Sequence, residues 1–320
     1  MYKILTCTIA VLAHLQPACA DVYPSRPIRF INPTAPGGTA EPIARVLALK
    51  LSASLGQSVV VDSRGGAGGT VGTATAAHAL PDGYTILLGV VSPMAINVSL
   101  YGAKLPYDPV RDFAPVSLIT KVPQVLSVHP TLPAANIKQL IELAKDPKNQ
   151  LNYGSAGSGT TGHLVAELLK KRAGIQLTHI PFKGSGPALS AFLSGDVSIM
   201  LSGPPAVLAL AQAGRLRVLA TSGVTRTPVL PDVPTFIESG LPIDVTSWYC
   251  LVVPTGTPQA IVARLHAATV AALKSPQVAD TLLKMGAPPE PSTPEQLRTF
   301  LRGEIKKFAE VVEIAGVKID

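Results

Sequence analysis

Charge is scarce in this 320-residue sequence: only 15% of it is Asp, Glu, Lys or Arg, beside 30 prolines and 27 glycines. That balance excludes a coiled coil and suits many short elements joined by defined turns. No basic run is interleaved with aromatics, so the formal net charge of +7 does not describe a nucleic-acid surface. Its scattered basic bias favours an anionic ligand instead. Long apolar runs are missing too, since a membrane-spanning helix needs about 20 apolar residues and Ile4–Leu15 falls short. What is abundant is hydrophobic sequence, 47% of the chain, which is enough for one large domain or two ordinary ones.

Cysteine is nearly absent, with Cys7, Cys19 and Cys250 alone. Lys3 precedes the apolar stretch Ile4–Leu15, and Ala18-Cys19-Ala20 is a small-residue signal-peptidase site. The expectation is a signal peptide over residues 1–20, a mature chain starting at Asp21, and export to the periplasm. Acylation at Cys19 is the rival, but Gln16-Pro17-Ala18 is a poor lead-in to such a site. Cleavage leaves Cys250 alone, unable to form an internal disulfide; its apolar neighbours Tyr249 and Leu251 point to a buried thiol.

After the leader, strand-like and helix-like runs alternate: Ile28–Asn32, Ile43–Leu55, Ser58–Asp62, Thr70–Ala79 and Tyr84–Gly89, then a loop and Val116–Thr120. A second set of the same kind runs from Val125–Val128 to Val218–Ser222, and both read as mostly parallel α/β units. The tail adds a strand, Trp248–Val253, and three helices whose prolines stand at or near their starts. Because the second unit is enclosed, the tail is expected to return to the first. This gives domain 1 as residues 21–121 and 246–320, and domain 2 as 122–245. Crossings near Thr120–Gln124 and Pro242–Ser247 make a hinge with a ligand cleft.

Several strand-to-helix loops carry ligand-binding chemistry. Pro33-Thr34-Ala35-Pro36-Gly37-Gly38-Thr39-Ala40-Glu41 offers backbone N–H groups to an anion at the start of a helix, or is a proline-rich turn. Gly154-Ser155-Ala156-Gly157-Ser158-Gly159-Thr160-Thr161-Gly162-His163 contains G-x-G-x-x-G, yet no acid follows about 20 residues later to hold a ribose. Its hydroxyls beside a helix start suit a carboxylate. His163 is either a ligand contact or structural. Arg64-Gly65-Gly66-Ala67-Gly68-Gly69-Thr70 lacks a P-loop ending and is a lip of the cleft or a tight turn. Lys183-Gly184-Ser185 and Ser202-Gly203-Pro204-Pro205 also stand at strand ends, making Ser185 and Ser202 candidates.

Catalytic signatures are wanting. His78, His129, His163, His179 and His266 have no metal-ligand spacing, no serine sits in G-x-S-x-G, and Cys250 has no activating partner in sequence. No enzyme activity, metal or cofactor is expected.

These segments together resemble the Bug-type, TctC-like solute-binding receptors of tripartite tricarboxylate transporters. The resemblance rests on Tyr23-Pro24-Ser25-Arg26-Pro27-Ile28, Pro36-Gly37-Gly38 with Ile43-Ala44-Arg45, Ala67-Gly68-Gly69, Pro81-Asp82-Gly83-Tyr84-Thr85, Leu105-Pro106-Tyr107-Asp108 and Asp112-Phe113-Ala114-Pro115-Val116. It continues through Leu151-Asn152-Tyr153-Gly154-Ser155, Pro181-Phe182-Lys183-Gly184-Ser185, Leu230-Pro231-Asp232-Val233-Pro234-Thr235 and Pro254-Thr255-Gly256-Thr257-Pro258. It implies a periplasmic-binding-protein fold, a small organic carboxylate as ligand and a membrane permease as partner. In the family, loops from both domains grip one carboxylate, partly through water. Carried over, the resemblance assigns Thr34, Ala35, Pro36, Gly37, Gly38 and Glu41 on one side, and Ser155, Ala156, Gly157, Thr160, Thr161 and His163 on the other. Glu41 stands where Asp is frequent, and Ser202-Gly203 where many relatives have Asp-Asn, which removes a partner for a ligand amine. That tilts the expectation to a dicarboxylate or aromatic carboxylate. A sensor-kinase subunit, or an exported enzyme with Ser155 or Cys250 as nucleophile, are the alternatives.

Overall fold

The computed structural model describes residues 23–318, so the leader, its cleavage site, Cys7 and Cys19 lie outside the described residues. Within it the chain builds β1 (Ile28–Asn32), α1 (Ala40–Leu55), β2 (Val59–Ser63), α2 (Thr70–Ala77), β3 (Thr85–Val90), α3 (Asn97–Tyr101) and β4 (Phe113–Pro123). The second domain holds β5 (Val125–Val128), α4 (Ile137–Lys145), β6 (Asn152–Ser155), α5 (Thr161–Ala173), β7 (Thr178–Pro181), α6 (Ser185–Ser194), β8 (Ile199–Ser202), α7 (Pro204–Gln212) and β9 (Arg217–Thr221). The tail is β10 (Thr246–Pro254), α8 (Gln259–Lys274), α9 (Pro276–Lys284) and α10 (Pro294–Ala315).

Two five-stranded sheets result, ordered β2-β1-β3-β10-β4 and β7-β6-β8-β5-β9. Each is mixed rather than uniformly parallel: β10 runs against β3 and β4, and β5 runs against β8 and β9. The cause lies in the connections. β4 passes into β5 with only Gln124 between them, and β10 returns into the first sheet along β4 in the opposite direction, from Thr246↔Pro123 to Pro254↔Phe113. Two adjacent antiparallel strands therefore carry both passages between the domains.

Burial explains the individual elements. β1 is covered on both faces except at Arg29, which pairs with Asp62 on β2 at 2.7 Å, as expected of a central parallel strand. α1 buries Ile43, Ala44, Leu47, Ala48, Leu51 and Leu55, one stripe at helical spacing. α10 starts with a reciprocal bond pair between Thr293 and Gln296, with Pro294 in its first turn, and ends at Gly316 in the left-handed conformation. The segment after β3, expected as loop, contains a π-helical turn over Ser92–Ile96 followed by α3. Met94, Ala95 and Ile96 are fully buried there, so packing rather than helix propensity holds it.

Trp248 on β10 is fully buried, stacks edge-on to Phe300 of α10 and donates to Glu304 at 2.7 Å. Neighbouring Cys250 is also fully buried, and burial pushes its thiol well above the ordinary range. Alkylation at neutral pH should thus be slower than that of a free thiol by at least about a hundredfold in folded protein, and become fast in denaturant. Rapid native labelling, followed by mass, would show that β10 is not packed as described.

Candidate functional site

The helices that start near the gap between the sheets all start the same way. Ala40 of α1, Thr161 of α5, Ser185 of α6 and the Gly203 cap of α7 line one interdomain cavity, with Gly69, the cap of α2, beside them. None of these five helices has a side chain capping its first turn. Away from the cavity, α4 and α10 are capped by Asn136 and Thr293 while α8 and α9 are not, so it is the convergence of uncapped starts, rather than their occurrence, that marks this place. First-turn N–H groups and positive dipole ends of both domains are thereby left facing one space.

That space has two adjoining chambers, about 480 and about 80 Å³, which share Thr34, Val90, Ser92, Ala156, Thr160 and Ser185. The smaller lies against the interdomain strands, at Gln124, Ser247 and Tyr249. Ser92, Thr161, Ser185 and Ser202 line it, and no hydroxyl of the four has a hydrogen-bond partner among the described residues. The larger opens outward between Gly65–Gly69 and Tyr101 of the first domain and Phe182–Ser185 of the second.

Of the residues expected from sequence, Thr34, Ala35, Pro36, Ala156, Gly157, Thr160, Thr161, Ser185 and Ser202 line the cavity. Gly37, Gly38, Glu41, Ser155 and His163 do not. Glu41 turns away: its carboxylate accepts from the Gly37 N–H at 2.8 Å and pairs with Arg45 at 2.6 Å, interactions that hold it below the ordinary carboxylate range. It braces the loop from behind and lines neither chamber.

Gly37 and Gly38 serve the contact between domains. A Cβ on Gly38 would lie 2.6 Å from that of Ser185, and one on Gly186 would lie 2.4 Å from the Pro36 carbonyl oxygen. The Gly203 N–H also donates to the Thr39 hydroxyl at 3.1 Å across the same seam. Side chains are absent where the two backbones approach most closely. Gly186→Ala, at ordinary backbone angles, should therefore obstruct closure and weaken ligand binding roughly tenfold or more while leaving the unliganded melting temperature nearly unchanged. Titration calorimetry beside a thermal melt tests this, and unaltered affinity would remove the seam's role.

Ser155 and His163 support the second loop from within. The Ser155 hydroxyl is buried, 2.6 Å from His179 Nε2, and also bonded to Gly157. His179 stacks on His163, ring centroids 4.0 Å apart, and on Tyr153 at 4.8 Å. Tyr153 donates to Glu167, which also holds Lys170 at 2.9 Å. His163 accepts the Gly159 N–H on Nδ1, so this buried ring is needed neutral. The Ser155 hydroxyl is spent on contacts within the loop, and neither Ser155 nor His179 lines either chamber.

Burial, with His179 adding to it, pushes the pKa of His163 down to about 4. The unfolded chain binds this proton near pH 6.5 and the folded chain only near 4, so stability falls as pH drops through that window. His163 should account for a loss of about 3 kcal/mol between those limits. Urea unfolding of wild type and His163→Gln near pH 7 and near pH 4.5 measures it. Equal pH dependence in both proteins would assign the loss elsewhere.

Sequence reading missed Ser92, Gln124, Ser247 and Tyr249. They sit on the buried segment after β3 and on the interdomain strands, with no glycine-rich signal beside them. Among the described residues no helix is long and apolar enough to cross a membrane, and no group of three or more His, Cys, Asp or Glu is placed to hold a metal.

The family model described as "Tripartite tricarboxylate transporter family receptor" matches residues 43–317. The chain belongs to this family. It is 40% identical to Protein BugT of Bordetella pertussis over 313 residues, covering 97% of this chain and 96% of that one. Among solved structures it is similar to the periplasmic binding protein BugD, with a TM-score of 0.88 at 34% identity and coverage of 92% and 99%. MatC of Rhodopseudomonas palustris, solved with malate, gives 0.85 at 33% identity and coverage of 91% and 100%. An R. palustris protein solved with adipate gives 0.89 at 35% and coverage of 92% and 99%. The chain is thus a periplasmic-type solute-binding receptor with two α/β domains, and not an enzyme.

Proposed function

We propose that this receptor captures a small organic carboxylate, a dicarboxylate or an aromatic one, and delivers it in the closed form to a tripartite tricarboxylate-type permease in the membrane. The observation carrying this reading is the cavity wall itself: uncapped helix starts from both domains and unpartnered hydroxyls, with no Asp or Glu among the lining residues. Such a wall donates hydrogen bonds and lacks a counter-charge for an amine. The malate- and adipate-bound relatives support the same ligand class.

Residues 21–121 with 246–320 would move as one lobe and 122–245 as the other, pivoting where β4 meets β5 and where the chain re-enters β10. Closure removes water from the anion and strengthens each bond to it. The ligand sites are those assigned above to the two chambers, with Thr34 and Ser92 opposing Thr160, Thr161, Ser185 and Ser202.

Thermal unfolding of the exported chain against a carboxylate panel tests this. A ligand present at about 100 times its dissociation constant adds about 2.7 kcal/mol. Thr160→Val with Thr161→Val should weaken that ligand roughly tenfold or more: Thr161 loses a hydrogen bond to a charged group, about 1.5–3 kcal/mol, and Thr160, whose hydroxyl donates to the Gly157 carbonyl at 2.7 Å, loses a tie that holds the loop. Full affinity in the double variant would displace the site from the start of α5.

A further inference from the structure

We infer that Lys183 selects for a second anionic group on the ligand, so that the cognate solute is a dianion with its charges at opposite ends of the cavity; this rests on the carboxylate reading above. Lys183 follows β7 and precedes α6, and among the described residues it is the one charged residue lining either chamber. It is exposed and forms no ion pair among the described residues, unlike Lys121, Lys170 and Lys307.

Its place in the cavity gives that charge a direction. The chamber at the interdomain strands is neutral, walled by hydroxyls and the start of α5. Lys183 belongs to the outer chamber only, beside Phe182 and Gly184. Gly184 itself meets the first domain, where an added Cβ would stand 2.4 Å from that of Ala35. Lys183 is thus anchored at the seam between the domains, on the outer rim of the cavity.

One carboxylate at the inner chamber satisfies the hydroxyls and leaves the lysine with no negative partner inside the cavity. A monoanion gains nothing from it, whereas a ligand long enough to span both chambers presents its second carboxylate there and is strengthened by a charge-assisted bond. An amino group at the outer end would face like charge, so the same residue discriminates against amino-acid ligands that place their amine there.

The test compares succinate, adipate and suberate with butyrate, hexanoate and octanoate by calorimetry, using the full exported chain and its Lys183→Met and Lys183→Arg variants. The expected result is a preference of roughly tenfold or more for one dicarboxylate over its matched monocarboxylate in wild type. The methionine variant should lose that preference with monocarboxylate affinity unchanged, and the arginine variant should keep it. Unliganded melting temperatures should agree, because the side chain is exposed. A preference that survives in Lys183→Met, or a wild type that binds monocarboxylates equally well, overturns this assignment and leaves the carboxylate site standing. No binding of any of the six acids, nor of terephthalate and benzoate tested beside them, overturns the carboxylate reading together with it.

Discussion

Helix starts from both domains point their positive dipole ends at the interdomain cavity, and the arrangement of both domains serves to aim them. A parallel strand followed by a crossover helix brings each helix start to the carboxyl end of its strand. Both sheets present that end to the same space, so α1 and α2 face α5, α6 and α7 across it. Leaving those starts uncapped forgoes local helix stability, which the buried faces of the helices supply instead. On the proposed function, an anion entering between the domains would complete what the helices leave open.

The second loop shows what this aim requires behind it. Its residues cross from Ser155 to Thr161 over stacked, neutral imidazoles, with Glu167 tied to Tyr153 and Lys170 at the base. Sequence alone marks His163 and Ser155 as chemistry-bearing, and they are; their chemistry holds the loop in place. Glu41 does the corresponding work for the first loop through the Gly37 N–H. Polar residues next to a glycine-rich loop are as readily its foundation as its contact surface, and only side-chain direction separates the two.

The alternation of strands and helices, the enclosed second unit and the glycine-rich turns were legible because each is local: period, proline position and loop composition within a few residues. Elements failed where packing overrode the local pattern. The segment from Ser92 to Tyr101 reads as loop yet folds against the core, and it carries Ser92 into the cavity. Gln124, Ser247 and Tyr249 reach the site through pairing between strands more than a hundred positions apart, which no window along the chain displays. The reversed directions of β5 and β10 likewise follow from connectivity.

Gln124 unites two roles. It is the sole residue between β4 and β5, its N–H and side-chain amide bind Ser222 and Ser247, and it also lines the inner chamber. The proposed fulcrum is therefore part of the proposed ligand's own wall. Rotation about a fulcrum displaces nearby atoms little and distant ones greatly, so under the proposed closure the inner chamber would keep nearly the same shape whether the jaws are apart or together. The outer rim travels farthest. On that proposal a solute would be held by its inner end before the jaws meet and read at its outer end only afterwards, dividing capture and selection into successive stages of one lever stroke.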